Sequence, residues 1–207
     1  MGNNLDKLRD KLLDHRGEFV CSLIGDESKT SQFKFEHTVE YTNSVAQVPR
    51  LEKLVEFYNT FGSLRLFHNI ESGDSAVFLA NPAQWGTLKN YFLDWINDLD
   101  ETEKDDLVPE WIDNCECIGE IPESGNYFLT PLAGNEAGGI FEFEHDGFEF
   151  IPRAPNIEEF VEQYLSIDPG LLTEMASHMR FITNDPGNQW WIEEMRDNFG
   201  AVVKTKQ

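Results

Sequence analysis

The stretch CECIGEIPESGNYFLTPLAGNEAGGIFEFEHDGFEFI, residues 115–151, decides the fold. It contains four short apolar and aromatic runs, at 115–121, 127–130, 139–145 and 148–151, which we predict to be strands. Asp146-Gly147 separates the last two runs and is a strong hairpin signal. Consecutive strands with short connections favour an antiparallel meander.

The preceding segment adds helices to this sheet. VPRLEKLVEFYNTFG, residues 48–62, has apolar residues three and four positions apart and ends in Gly62, which predicts an amphipathic helix. Two strands are expected next, at 63–68 and 75–79. Asn81-Pro82 predicts the start of a second helix, because it combines a capping side chain with a proline at the first helical position. Its apolar stripe comprises Trp85, Leu88, Phe92, Trp95, Ile96 and Leu99.

The two ends extend this core. Near the start we expect a short helix ended by Gly17, then strands at 19–24 and 33–41 joined by a polar turn at 26–31. Near the end, three helices are predicted from the start signals Asn156, Asp168-Pro169 and Asp185-Pro186. The stripe of the third helix comprises Trp191, Ile192, Met195 and Phe199. The fold class is therefore α+β, an antiparallel sheet with helices packed around it in a single domain of residues 1–207.

Net charge is the strongest compositional fact. The chain has 16 basic and 38 acidic residues, a formal charge of −22. Such a field repels phosphate backbones and anionic lipid surfaces, so we expect neither nucleic-acid nor membrane binding. It leaves two interpretations open, steering of a basic partner or solubility alone.

Composition also indicates the compartment. Three cysteines do not make a disulfide framework, and the opening MGNNLDKLRD has no apolar signal region. No run of about 18 apolar residues is present. We therefore expect a cytoplasmic protein.

No motif predicts a catalytic, cofactor or metal site, and we expect that the chain is not an enzyme. Cys115 and Cys117 lack the two further ligands that zinc needs, so buried thiols are the favoured interpretation. His145 beside Asp146 is a suggestive pair, but a hairpin turn explains it equally. The acidic stretch 98–106 lacks the glycine and the final glutamate of a calcium loop.

The order of these segments resembles a known family. The helix VPRLEKLVEFYNTFG, then Trp111 leading into CIGEIPESGNYFL, then GGIFEFEHDGFEFI and a closing helix with Phe160, is similar to the SUKH superfamily (Smi/Knr-like). The resemblance covers roughly residues 48–166, so 1–47 is expected to be an N-terminal elaboration and 167–207 a C-terminal helical extension. Gly62-Ser63 and Gly125-Asn126 depart from glycine pairs and Gly-Asp pairs that are common in the family.

The resemblance implies a protein-binding module of the immunity-protein type, which binds and neutralises a toxin effector. A basic toxin would suit the charge. The alternatives are a regulatory or scaffold protein of the same fold with a housekeeping partner, and an enzyme with an unrecognised site.

The partner-binding residues expected from exposure are few. Glu101, Glu103, Asp105 and Asp106 line the acidic stretch, where they would complement a basic partner, although a merely solvated loop explains them as well. Trp190 is expected to project from the side of the third C-terminal helix as an aromatic anchor, unless it packs on a neighbouring element.

Overall fold

The structure is a computed structural model that describes residues 4–41, 47–179, 181–182 and 189–205. Within these residues it has six α-helices and eleven strands, and the strand pairs are antiparallel, which confirms the α+β class. The helices are α1 Asn4–Asp14, α2 Glu52–Thr60, α3 Trp85–Asn97, α4 Glu101–Leu107, α5 Ile157–Leu165 and α6 Pro169–His178. The strands are β1 Gly17–Leu23, β2 Asp26–Glu40, β3 Ser63–His68, β4 Val77–Leu79, β5 Cys115–Ile121, β6 Asn126–Pro131, β7 Ile140–Glu144, β8 Glu149–Ala154, β9 Phe181–Ile182, β10 Gln189–Asp197 and β11 Val202–Lys204.

The chain divides into two compact units. The terminal unit comprises the described residues of Met1–Thr38, Arg65–Val77 and Gln163–Gln207. The central unit comprises those of Val39–Leu64 and Phe78–Glu162. Both ends of the chain therefore contribute to one unit.

The central unit contains the predicted meander. β5, β6, β7 and β8 pair in sequence order, and β4 pairs with β5 on the other side. Asn81 caps a short 3₁₀ turn, Pro82–Gln84, that leads into α3, so the predicted start signal is confirmed. Phe92 on α3 packs edge-on against Phe143 of β7, with ring centroids 5.3 Å apart. Phe92 thus packs α3 on the sheet through aromatic contact.

The sheet of the terminal unit is centred on β1, which pairs with β2 on one side and β10 on the other. Gly17 lies opposite both Phe35 and Asp197. A Cβ atom at Gly17 would lie 2.0 Å from the carbonyl oxygen of Arg196, so only glycine fits there. Gly17 therefore begins a strand, and the prediction that it ends α1 is wrong in detail, because α1 ends at Asp14.

The prediction of a third C-terminal helix is wrong, because the described part of that segment forms strand β10. A β-bulge explains the misleading pattern. The register of β1 against β10 shifts between Val20 and Cys21, where Glu193 is the extra residue. In a regular strand, residues three positions apart face opposite sides of the sheet, but the extra residue places Ile192 and Met195 on the same side. Both are buried, so their spacing of three resembles that of a helix. The proposed start at Asp185-Pro186 lies outside the described residues. Of the predicted helical extension 167–207, α6 is helix, whereas the regular elements described after it are strands β9, β10 and β11.

The polar turn predicted at 26–31 is also wrong. β2 begins at Asp26, and the turn lies one step earlier, where Gly25 has a φ of +89°. Ser31 and Thr30 pair with Cys21 and Ser22 of β1. Polar composition there marks solvent exposure, since a strand with one wet face needs polar residues too.

No helix among the described residues combines the length and the apolar character needed to cross a bilayer.

Candidate functional site

The outer side of α3 carries two exposed aromatic side chains. Tyr91 is 56% exposed and Trp95 is 38% exposed, whereas Phe92 and Ile96 on the opposite side are buried. Asp94 and Asp98 are also exposed. Residues three, four and seven positions apart share one side of a helix, so Tyr91, Asp94, Trp95 and Asp98 form one surface, named here the α3 surface. Trp95 was predicted to face the core, and its exposure corrects that prediction.

Trp95 is held in place by the turn between β5 and β6. Its ring lies 5.1 Å from the ring of His145, centroid to centroid. Gly125 has a φ of +83°, and a Cβ atom there would lie 3.3 Å from the His145 ring and 3.4 Å from Trp95. Both the backbone conformation and the space favour glycine at this position. The Ser124-Gly125-Asn126 turn thus packs against the indole ring of Trp95.

A hydrogen-bond chain orients His145. Asn126 Nδ2 donates to Glu142 Oε1 at 2.8 Å, and Asn126 Oδ1 accepts the backbone N–H of His145 at 3.2 Å. Because Oδ1 is an acceptor, His145 Nδ1, 2.9 Å away, donates to it. The other oxygen of the buried Glu142 carboxylate pairs with Arg153 Nη2 at 2.6 Å. This chain of paired groups fixes the position of the imidazole against Trp95.

The hairpin after β7 contains the one group of three residues that, among those described, could hold a metal ion. Glu144, His145 and Asp146 each offer a ligand atom within 4.8 Å of the others. His145 Nε2 lies 3.0 Å from Asp146 Oδ1, so the pair noted in the sequence does meet. The Glu144 carboxylate, however, accepts the backbone N–H groups of Asp146 at 3.1 Å and Gly147 at 2.6 Å. These bonds are those of a tight turn.

The acidic stretch forms helix α4. Asp100 caps it, with Oδ1 accepting the N–H of Glu103 at 2.9 Å, while Glu103 Oε2 accepts the N–H of Asp100 at 2.9 Å. Glu101, Asp105 and Asp106 are exposed, and no side chain of α4 is buried. The part of the acidic stretch from Glu101 onward is therefore helix and not the solvated loop considered above, and Glu103 has a structural role in the capping box.

Trp190 lies on β10, not on a helix. It is half-buried, and its ring lies 5.9 Å from that of Phe33. In the sheet it stands opposite Leu23 and Phe181. Packing explains its position, and a partner-binding role for it stays a prediction.

The terminal unit contains a pocket of about 570 Å³. Phe35 and Asp197 line it, together with the cations Arg16, Lys34 and Arg196. We refer to it as the terminal pocket. Among the described residues, Arg16 and Lys34 form no salt bridge.

Behind the terminal pocket, two buried histidines lie in series. The backbone N–H of Phe67 donates to His37 Nδ1 at 3.2 Å, so the proton of neutral His37 resides on Nε2. His37 Nε2 lies 2.9 Å from His15 Nδ1, and His15 Nε2 lies 3.3 Å from Asp197 Oδ2. Each group therefore donates a hydrogen bond to the next one, in the order Phe67 N–H, His37, His15 and Asp197.

Burial governs the pKa values of both rings. It lowers the pKa of His37 to about 3, and the neighbouring His15 lowers it further in the same direction. The pKa of His15 is also lowered by burial, although Asp197 opposes the shift. Both rings are thus neutral near pH 7. Positions 15, 37 and 197 are far apart in sequence, so only the fold reveals this group.

The cysteine thiols are buried, as the favoured interpretation expected. Burial raises the pKa of Cys115 and of Cys21 to about 12 and that of Cys117 well above its usual value. Cys115 Sγ donates to the carbonyl of Ile112 at 3.1 Å. Such thiols are unreactive because the thiolate is the nucleophile and the metal ligand.

Comparison of the chain with protein-family models, with curated proteins and with solved structures gave no match. The SUKH resemblance therefore stays a prediction, and the function is argued from these residues.

Proposed function

We propose that the chain is a non-enzymatic protein-binding module that recognises a basic protein through the α3 surface, flanked by the acidic helix α4. The observation that carries this proposal is the exposure of Tyr91 and Trp95 side by side, with Asp94 and Asp98 on the same side of the helix. Tyrosine and tryptophan are enriched at binding hot spots, and a monomer gains nothing by leaving them in water.

The rigidity of Trp95 supports the same function. Its indole rests on His145, which is oriented by Asn126, which in turn is held by the buried Glu142 carboxylate. A side chain that is already fixed loses little conformational entropy on binding. Trp95 is therefore well suited as an anchor that enters a pocket on the partner.

The acidic residues near the α3 surface favour a basic partner. Six of the nine residues from Asp98 to Asp106 are acidic, and the four that lie on α4 are exposed to solvent. Carboxylates at the rim of an interface accelerate encounter with a basic partner more than they tighten the final complex. We therefore expect α4 to govern the association rate and the α3 surface to govern the dissociation rate.

The SUKH resemblance makes an immunity protein that neutralises a basic toxin effector the leading form of this proposal. A regulatory or scaffold protein of the same fold is the alternative. A toxin gene beside this gene would favour the first, and its absence the second.

The terminal pocket is where a catalytic site would be sought, and the two buried histidines of the terminal unit do not supply a general base to it. The two histidines with lowered pKa, His15 and His37, are not among the residues that line the pocket. Each is buried and bonded to another group of the terminal unit. A general base must reach the proton that it removes, and these rings do not.

The test begins with capture of partners from the native cell by the tagged chain at low and at high salt. Kinetics of the captured protein are then measured on the chain and on Tyr91→Ala/Trp95→Ala. Loss of two anchors is expected to weaken binding by at least about 100-fold, mainly through faster dissociation. Tyr41→Ala, at a tyrosine that is 67% exposed, is the matched control and is expected to leave affinity unchanged.

A second pair of variants tests the role of charge. Asp105→Asn/Asp106→Asn is expected to slow association several-fold at low salt and to have less effect at high salt, because salt screens exposed charges. Glu27→Gln/Glu52→Gln removes the same charge from exposed positions outside α4, and a smaller effect is expected. Full affinity in the Tyr91→Ala/Trp95→Ala variant would overturn the proposed surface. Recovery of only acidic or nucleic-acid partners would overturn the proposed partner.

A further inference from the structure

A groove runs along β8, the last strand in the sheet of the central unit. Two cavities of about 410 Å³ each open there. They share three lining residues, Glu136, Phe141 and Pro152, so they adjoin. We name the combined depression the β8 groove.

Three aromatic rings form one wall of the β8 groove. Trp111 lies 4.9 Å from Phe141 and 5.8 Å from Phe150, centroid to centroid. Trp111 and Phe150 are half-buried and line one of the two cavities, so part of each side chain is accessible there. Pro109 and Pro155 line the two cavities further along. Flat rings beside prolines offer a rigid apolar surface without main-chain donors.

The charges left unpaired in the groove are acidic. Glu110 and Glu136 are exposed, and neither forms a salt bridge among the described residues. Arg153 is the only basic residue among the described residues that line the groove, and its guanidinium is bound by the Glu142 carboxylate at 2.6 Å. The groove therefore attracts a cation.

The backbone of β8 is a poor template for an added strand. Pro152 lacks an N–H, so the edge strand cannot offer a full set of donors to a partner strand. A ligand must then be recognised through side chains. A polyproline II segment needs no ladder of backbone bonds, and aromatic-lined grooves bind such segments.

We propose that the β8 groove binds a short, extended peptide segment that contains proline and arginine, with prolines against Trp111, Phe141 and Phe150 and arginine beside Glu110 and Glu136. Arginine also stacks on tryptophan, so Trp111 contributes to both halves of the recognition. This site shares no residue with the α3 surface. Its test is independent of the protein partner proposed above.

The probe is the synthetic peptide (Pro-Pro-Arg)₄, titrated into the full chain by calorimetry and by NMR of the tryptophan indole protons. Saturable binding that shifts the Trp111 indole resonance is expected. (Gly-Ser-Arg)₄ has the same charge without the polyproline conformation, and binding at least about tenfold weaker is expected. (Pro-Pro-Glu)₄ is expected not to bind.

Variants test whether the peptide binds in the β8 groove. Trp111→Ala is expected to weaken (Pro-Pro-Arg)₄ binding at least tenfold. Since Trp111 also packs on Phe141, Glu110→Lys/Glu136→Lys provides a second variant at exposed positions and is expected to abolish binding. Tyr91→Ala/Trp95→Ala is the control, with unchanged binding expected. Equal binding of (Gly-Ser-Arg)₄, no saturable binding at millimolar peptide, or full affinity in the Glu110→Lys/Glu136→Lys variant would each overturn the proposal.

Discussion

Two histidines lie ring to ring inside the terminal unit, and each determines where the other carries its proton. Phe67, whose φ of +52° is unusual for a residue with a side chain, presents its N–H to His37. His37 therefore donates to His15, and His15 to Asp197, whose other oxygen accepts the N–H of Ala201 at 2.7 Å. A proton added to His37 would have no acceptor at Nδ1.

The residue-scale consequence is a loss of stability in acid. The pKa of His37 is about 3 in the folded chain and about 6.5 when unfolded, so only the unfolded state takes up a proton between these values. Stability from this group is fully present above pH 6.5 and is lost as the pH falls toward 3. Between pH 7 and pH 5 the expected loss is about 2 kcal/mol from His37, and His15 adds to it in the same direction.

Urea unfolding at pH 7 and pH 5, on the chain and on His37→Gln, measures this loss. Glutamine does not titrate, so the change between the two pH values should shrink by about 2 kcal/mol in the variant. An equal change in both proteins would show that His37 is not responsible.

At the scale of elements, α4 is a helix maintained by its own cap. It buries no side chain, so tertiary packing supports it little. The bonds between Asp100 and Glu103 instead satisfy backbone groups at its first turn.

Replacement of the cap should therefore open α4 locally. Asp100→Ala is expected to cost about 1 kcal/mol within the helix, because an N–H group loses its acceptor. Amide hydrogen exchange over residues 103–108 should become faster, while the midpoint of global urea unfolding changes little. Asp105→Asn removes the same charge without touching the cap, and unchanged exchange is expected. A large shift of the global midpoint by Asp100→Ala would contradict the local character of this helix.

Helices and strands were predictable from sequence where the signals that define them lie within the element or in the adjacent turn. Strands β5 to β8 are separated by turn signals such as Asp146-Gly147, and the cap at Asn81 acts within its own turn. β10 was not predictable, because a bulge opposite Val20 set the spacing of its buried residues. That bulge depends on a strand far away in sequence.

The α3 surface was missed for a related reason. Trp95 belongs to the apolar stripe by its spacing, and helical spacing alone does not show how much of that stripe the sheet covers. His15, His37 and Asp197 were missed because contacts across 22 and 182 positions leave no local pattern. The exposure of Glu101, Asp105 and Asp106 on α4 was predictable, because charged side chains are rarely buried whatever lies around them.

At the scale of the whole molecule, the charge of −22 acts on stability itself. Like charges repel one another most strongly in the compact state, and salt screens that repulsion. The free energy of unfolding is expected to rise by on the order of 1 kcal/mol between 10 mM and 200 mM salt.

Urea, which is uncharged, is the suitable denaturant for this measurement. KCl and NaCl should act equally if screening is the cause, so unequal effects would indicate binding of a specific ion. A stability that falls as salt is added would show that attractive ion pairs outweigh the repulsion.

The pairing of β1 with β10 also constrains how the chain is assembled on the ribosome. Gly17 lies opposite Asp197, so β1 leaves the exit tunnel long before the strand that completes its sheet has been translated. Until then its apolar residues, among them Phe19, depend on chaperones or on temporary contacts. The central unit has no such delay, because Val39–Leu64 and Phe78–Glu162 are all synthesised before β10. The terminal unit can thus close only after β10 has been translated and has left the exit tunnel.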